Sequence, residues 1–280
     1  MPIDVQWHKM ARKSDKQLSN SGLRPTCRLA AAESRHDLPT PLAGLEDERQ
    51  TSLPDGSSID ETEGILFALA QAVEQRDHHT AGHCERLALI SVTMGIALQF
   101  DRARLLALYR GGHLHDVGKV GIPDSVLFKP SRLSAQEWVV MRSHTTRGEE
   151  ICRHLKSLAP VLPVIRHHHE RWDGGGYPDG LRGEQIPQLA RIVQIADIYD
   201  ALTNPRPYKQ AYPAAKAIEI IQREGDRGWR DPQIVELFTR LHKDVISKIE
   251  GYTAEANRTG DGMRASLANL QQFLNRNSLP

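Results

Sequence analysis

The chain has 280 residues, 39% hydrophobic and 25% charged, which is enough apolar material for an ordinary buried core. Its 36 Lys and Arg against 35 Asp and Glu leave no global field to attract a nucleic-acid polymer or an anionic membrane, so an anionic ligand must be held by local charge. Cys27, Cys84 and Cys152 stand apart without C-x-x-C spacing, which argues against a disulfide framework and a thiolate zinc site and points to a reducing cytoplasm.

Residues 1–57 are rich in Ser, Pro, Arg and acidic side chains and carry no sustained period, so this segment is expected to be disordered or weakly structured. It lacks the apolar core of a signal peptide, and no stretch of the chain approaches about eighteen uninterrupted apolar residues, so no membrane span is expected. A domain of residues 58–250 should begin with a helix that Ser58 and Glu61 open as a capping box, with Ile65, Leu66, Leu69 and Val73 on its apolar face. Thr80 is placed to cap a second helix carrying Leu87, Ile90, Met94 and Leu98, and Asp101 a third carrying Leu105, Leu106, Leu108 and Tyr109 toward His115. Gly118 is the expected end of that third helix.

Ser134 and Glu137 form another capping box, after which Trp138, Met141, His144, Thr145 and Ile151 recur at helical spacing. Val161, Val164, Ile165, His168 and His169 continue the pattern in a fifth helix, and Leu189, Ile192, Val193, Ala196, Asp197 and Asp200 in a sixth. Two more helices are predicted, from about Ala214 to Arg223 and from Asp231-Pro232 to about Lys243, the latter with Asp as cap and Pro at the first position. Alternating strands are absent, so the fold is expected to be all-α. The tail, 251–280, offers one more amphipathic face in Leu267, Leu270, Phe273 and Leu274, which packs back or pairs two copies as a homodimer.

The apolar faces of these helices also deliver His83, His115, Asp116, His144, His168, His169 and Asp197. Burying so many imidazoles and carboxylates is costly unless they are ligands, and a mixed N/O set suits iron, manganese, zinc or nickel better than calcium. Seven candidates exceed the needs of one ion, and a carboxylate such as Asp116 can bridge two. Two metals roughly 3.5 to 4 Å apart can hold a hydroxide nucleophile and stabilise a leaving oxygen, which is the chemistry of phosphoester hydrolysis.

The strings H-D-V-G-K at 115–119, H-H-E at 168–170 and D-G-G-G-Y-P at 173–178 resemble the HD-GYP phosphodiesterases. The similarity runs from Asp77-His78-His79-Thr80-Ala81-Gly82-His83 to Arg206-Pro207-Tyr208-Lys209, and more weakly to the Asp231-Pro232 helix. It implies an HD-superfamily helical bundle that hydrolyses cyclic di-GMP to linear pGpG, and in some members to GMP, at two or three divalent metals, often iron or manganese. The same seven residues match the family's ligands. Lys119 resembles its lysine at the scissile phosphate, and Arg206 and Lys209 resemble residues that hold the ligand's phosphates, so Asp116 and Lys119 are the expected catalytic pair. Position 79 departs from the trinuclear pattern, with His79 in place of Glu. Two ions are therefore expected, with the His79 and His83 pair at i, i+4 as a means of recruiting a third.

Each residue also has a plainer role. His144 could be a core histidine bonded to a carbonyl, Asp197 a buried salt-bridge partner, and Lys119, Arg206 and Lys209 solvated charges. His167 is expected outside the site, since neighbours on a helix point about 100° apart. His8, His36, His78, His113, His154 and His242 are assigned no function. The glycine-rich turn is expected at the mouth of the site, gating entry or docking a diguanylate cyclase. The alternatives in function are a hydrolase of another cyclic dinucleotide or nucleotide, and a non-catalytic cyclic di-GMP sensor or diguanylate cyclase docking module.

Overall fold

A computed structural model describes residues 56–76, 82–204 and 210–243, with side chains in the first segment from 64 to 75. The elements are α1 (Gly56–Arg76), α2 (His83–Ala97), α3 (Arg102–Leu114), α4 (Asp124–Leu127), α5 (Ala135–Arg142), α6 (His144–Cys152), α7 (Leu162–His167), α8 (Gln188–Thr203) and α9 (Ala214–Asp226). A last helix, α10, covers 232–243. Three short 3-10 turns lie at Val117–Gly121, Lys156–Leu158 and Gly183–Gln185. Among the described residues there is no strand, and one isolated bridge joins Asp173 to Arg182, so the all-α expectation holds. No helix among them is long and apolar enough to cross a membrane.

Helices α2 and α3 form the centre, and α8 lies against both as well as α7 and α9. Their close approach depends on small residues: a Cβ on Gly112 would stand 2.6 Å from the Ala88 Cα. The core is drawn from Leu87, Ile90 and Met94 of α2, Leu108 and Tyr109 of α3, Val164 and Ile165 of α7, and Ile192, Val193 and Ala196 of α8. Each large apolar side chain buried there contributes roughly 1.5–3 kcal/mol, which is what lets the bundle carry polar groups inside it.

Several predicted boundaries are confirmed by their caps. Asp101 accepts from the Arg104 N–H at 2.8 Å, Ser134 and Glu137 complete their capping box, and Asp231 Oδ1 accepts from the Gln233 N–H at 2.9 Å. Others differ. Helix α1 begins at Gly56, and its inward face is Phe67, Ala70 and Val73, while Ile65 is 70% exposed. The N-cap of α2 is Gly82 in the left-handed region, and Thr80 lies outside the described residues. The helix expected after Ser134 is two helices broken at Ser143, and α7 stops at His167. Gly118 ends no helix: α3 finishes at Leu114, and Gly118 sits in the following 3-10 turn.

Candidate metal centre and active site

The breaks between helices assemble the site. His83 is the first residue of α2, where Gly82 supplies no side-chain cap. Glu74 of α1 serves instead, its Oε1 accepting from the N–H of His83 at 2.6 Å and of Cys84 at 3.4 Å. His115 is the C-cap of α3, with Asp116 beside it. His144 opens α6, His168 caps α7, and His169 lies just beyond. Asp197 alone projects from mid-helix, in α8. The turn after Asp116 runs so close to α6 that a Cβ on Gly118 would meet the His144 carbonyl oxygen at 1.9 Å. That glycine is required by proximity, since any side chain would push the two segments apart.

Three groups of potential ligands result; two hold the predicted ligands, Asp116, His144, His168 and His169 in the first and His83, His115 and Asp197 in the second, and the third is His167, Glu170 and Asp179. In the first, His144 donates Nδ1–H to the Met141 carbonyl at 2.8 Å and His168 to the Ile165 carbonyl at 2.9 Å. Both Nε2 atoms are thereby left with lone pairs, yet they face each other at 3.4 Å. Asp116 Oδ1 approaches them at 3.2 and 3.8 Å. Three electron-rich atoms converge with no proton available to all of them, an arrangement that a cation stabilises.

In the second group His83 is fixed from behind. Asp200 Oδ2 lies 2.6 Å from its Nδ1, and Arg86 and Asn204 hold that carboxylate in turn. His83 Nε2 then lies 3.4 Å from Asp197 Oδ1. His115 donates Nδ1–H to the Gly112 carbonyl at 2.9 Å, and its Nε2 stands 3.2 Å from Asp116 Oδ2. Neither His115 Nε2 nor Asp116 Oδ1 has a hydrogen-bond partner although both are buried. The residues present therefore fit metal ions, with the two oxygens of Asp116 turned toward different groups.

The electrostatics agree. Burial raises the cost of charge on Asp116, but Lys119, His115 and His144 outweigh it and hold its carboxyl well below the usual range. Lys119 Nζ lies 2.8 Å from Asp116 Oδ2. Burial drives His144, His168 and His169 below the ordinary histidine value, keeping them neutral and ligand-competent. Burial acts the same way on His115, yet Asp116 and Asp197 overcome it and lift the group to about 9, so the carboxylates favour positive charge at that point.

A family model described as "HD domain" matches residues 68–234. The chain belongs to the HD domain family. Among curated relatives of this HD domain protein, the 3′3′-cGAMP-specific phosphodiesterase 2 of Vibrio cholerae is 37% identical over 185 residues, 65% of this chain and 35% of the relative. The cyclic di-GMP phosphodiesterase of Thermotoga maritima is 36% identical over 185 residues, 65% of this chain and 50% of the relative. The chain thus spans half or less of the length of these relatives. A crystal structure of a cyclic GMP-AMP specific phosphodiesterase of V. cholerae aligns with a TM-score of 0.50 at 24% identity, over 66% of this chain and 50% of the other, a likeness of fold.

Within this HD domain all seven predicted ligands and Lys119 come together, while Arg206, Lys209 and His79 lie outside the described residues. His167 stays out of the first two groups, as expected, beside Glu170 and Asp179. The reason differs: α7 ends, so His168 and His169 both turn inward past the last helical turn. Neither His154 nor His242 belongs to a ligand group, and His113 is buried against Phe67 and Tyr109. His242 also donates Nδ1–H to the carbonyl three residues earlier, so that bond alone marks no ligand.

The sequence pattern left four supporting residues unassigned. Asp200 has a core-facing spacing that hid its role behind His83. Glu74 could not be paired with a helix it precedes by nine residues. Gln194 donates to the carbonyls of His168 and Glu170. Glu170 is fully buried and receives the N–H groups of Asp179 at 2.8 Å, Gly180 at 3.1 Å and Leu181 at 3.1 Å, which ties the glycine-rich loop to the ligand segment. Tyr177 of that loop stacks on His169 with centroids 4.9 Å apart.

Proposed function

We propose that this HD domain is a cyclic di-GMP phosphodiesterase that yields linear pGpG, and GMP on further hydrolysis, working with two divalent ions of iron or manganese. The observation that carries this is the position of Asp116, whose Oδ2 lies 3.2 Å from His115 Nε2 and whose Oδ1 lies 3.2 Å from His144 Nε2. His83, His115 and Asp197 would hold one ion, His144, His168 and His169 the other, and Asp116 both. Such a pair supplies Lewis acidity toward phosphoryl oxygens and lowers the pKa of water.

The chain's own residues orient and balance charge. Asp200 aligns His83, and the carbonyls of Gly112, Met141 and Ile165 align His115, His144 and His168. Lys119, now 2.8 Å from Asp116, is the cation that would meet the scissile phosphate, with Arg206 and Lys209 assigned to the ligand's phosphates. The Tyr177 ring stacks on one face of His169, and the exposed turn of its loop is the surface a diguanylate cyclase would meet.

The names of the relatives support a second substrate, since one acts on 3′3′-cGAMP and another on cyclic di-GMP at nearly equal identity, 37% and 36%. The test is anaerobic purification with metal analysis, followed by chromatography of products from cyclic di-GMP and from 3′3′-cGAMP. Two metals per chain and faster turnover of cyclic di-GMP are expected. Tight binding without product would make the domain a sensor, and preference for 3′3′-cGAMP would replace the substrate.

A further inference from the structure

Arg142 ends α5, exposed to solvent and two residues before His144. Its guanidinium carbon lies 5.1 Å from the centroid of the Tyr177 ring and 5.7 Å from that of Trp138. Tyr177 in turn stacks on His169, their planes 25° apart. The guanidinium is thus supported on aromatic rings at the edge of the ligand cluster, and among the described residues no carboxylate pairs with it. Four arginines are committed to carboxylates, Arg86 to Asp200, Arg166 to Glu149 and Asp179, Arg171 to Asp173, and Arg191 to Asp231, while Arg147 donates to the Ser143 hydroxyl and, among the described residues, lies on no ring.

A guanidinium lying on rings keeps its N–H edge and its full charge for another acceptor, and its planar fork loses less freedom per hydrogen bond formed than an ammonium would. Lys119 carries positive charge on the Asp116 side of the cluster, and Arg142 carries it on the Tyr177 side. A cyclic dinucleotide has two phosphates held apart by its macrocycle, and two cations on separate sides of one metal cluster match that charge pattern.

We propose that Arg142 is a substrate-binding residue that holds the second, non-reacting phosphate of the cyclic dinucleotide. This rests on the phosphodiesterase function proposed above. It also separates two tasks: the cluster and Lys119 take the phosphate that reacts, and Arg142, together with the assigned Arg206 and Lys209, fixes where the rest of the ring lies. A substrate with a single phosphate has no use for Arg142.

The test compares the wild-type chain with R142A and R142K on cyclic di-GMP and on bis(p-nitrophenyl) phosphate, with metal content and thermal unfolding measured for each. For R142A, KM for cyclic di-GMP should rise about tenfold with kcat within about twofold, as loss of one charge-assisted contact predicts. Hydrolysis of the single-phosphate substrate and metal content should be unchanged, and R142K should recover part of the KM. Equal losses on both substrates, or no change on either, would overturn the proposal. Should the wild-type chain not turn over cyclic di-GMP, the function fails by itself. Calorimetric binding of pGpG, about tenfold weaker to R142A than to wild type, then supports Arg142, and equal or absent binding overturns it.

Discussion

Asp200 Oδ2 stands 2.6 Å from His83 Nδ1, across 117 residues of sequence, and fixes which nitrogen of that imidazole is free. With Nδ1–H donated to the carboxylate, Nε2 presents its lone pair beside Asp197. Replacement of Asp200 by Asn preserves shape but removes the charge that also binds Arg86. Metal affinity should fall about 10- to 100-fold, the usual effect of losing such a support, with one group of ligands depleted first. Metal content after dialysis against a weak chelator checks this, and full retention in D200N would dismiss Asp200 as a support.

Asp116 faces both ligand groups, so its loss should be felt by both. In D116A metal and activity are expected to disappear together, whereas K119A should keep metal near normal and lose turnover or binding. An Asp116→Ala protein that holds its metals and works at full rate would end the two-metal arrangement.

Gly118 allows the turn after Asp116 to touch the His144 carbonyl. An alanine there would have to displace α6 or the turn, costing about 1–3 kcal/mol or more as overpacking does. Because the displaced residue is a proposed ligand, G118A should lower both the melting temperature and metal content. Unchanged values for both would show that the segments part without consequence.

Glu170 satisfies three loop N–H groups from a fully buried position. E170A leaves them without an acceptor, at about 1–3 kcal/mol for a buried unsatisfied group. Amide exchange of Asp179, Gly180 and Leu181 should accelerate in E170A while that of α3 stays protected; protection of all three would mean another acceptor takes over.

The hydrogen bond from Lys129, then those at Ser134, hold the Glu137 carboxyl down to about 2 from its ordinary 4.5. A depressed folded-state value means the contribution is present above pH 4.5 and lost as pH falls toward 2. E137Q should therefore melt below wild type at pH 7, with the gap closing as pH is lowered through that window. A gap of constant size would assign it to packing. Salt should shrink it, since the pair is at the surface.

Much of the site could be read in one dimension. His144 and Asp197 are legible because each sits in helical register with apolar residues, and H-D-V-G-K and D-G-G-G-Y-P are local strings that need no partner to be recognised. Ile65 and Phe67 show the limit of periodicity, for either could face inward until the neighbouring helix chooses. Ser143 and His167 show another: a helix that stops a residue early leaves no mark in the apolar pattern, yet it decides where a ligand points.

The sequence by itself determined the residue types, their order and the helical frame, because turn chemistry, capping and apolar spacing act over a few residues. Only the tertiary structure decided that Asp200 backs His83, that Glu74 caps α2, that Gly118 rests on the His144 carbonyl, and that Arg142 lies over Tyr177. Those are contacts between distant segments, set by how close the helices pack and in which direction each ends, and no local pattern encodes a distance of that kind.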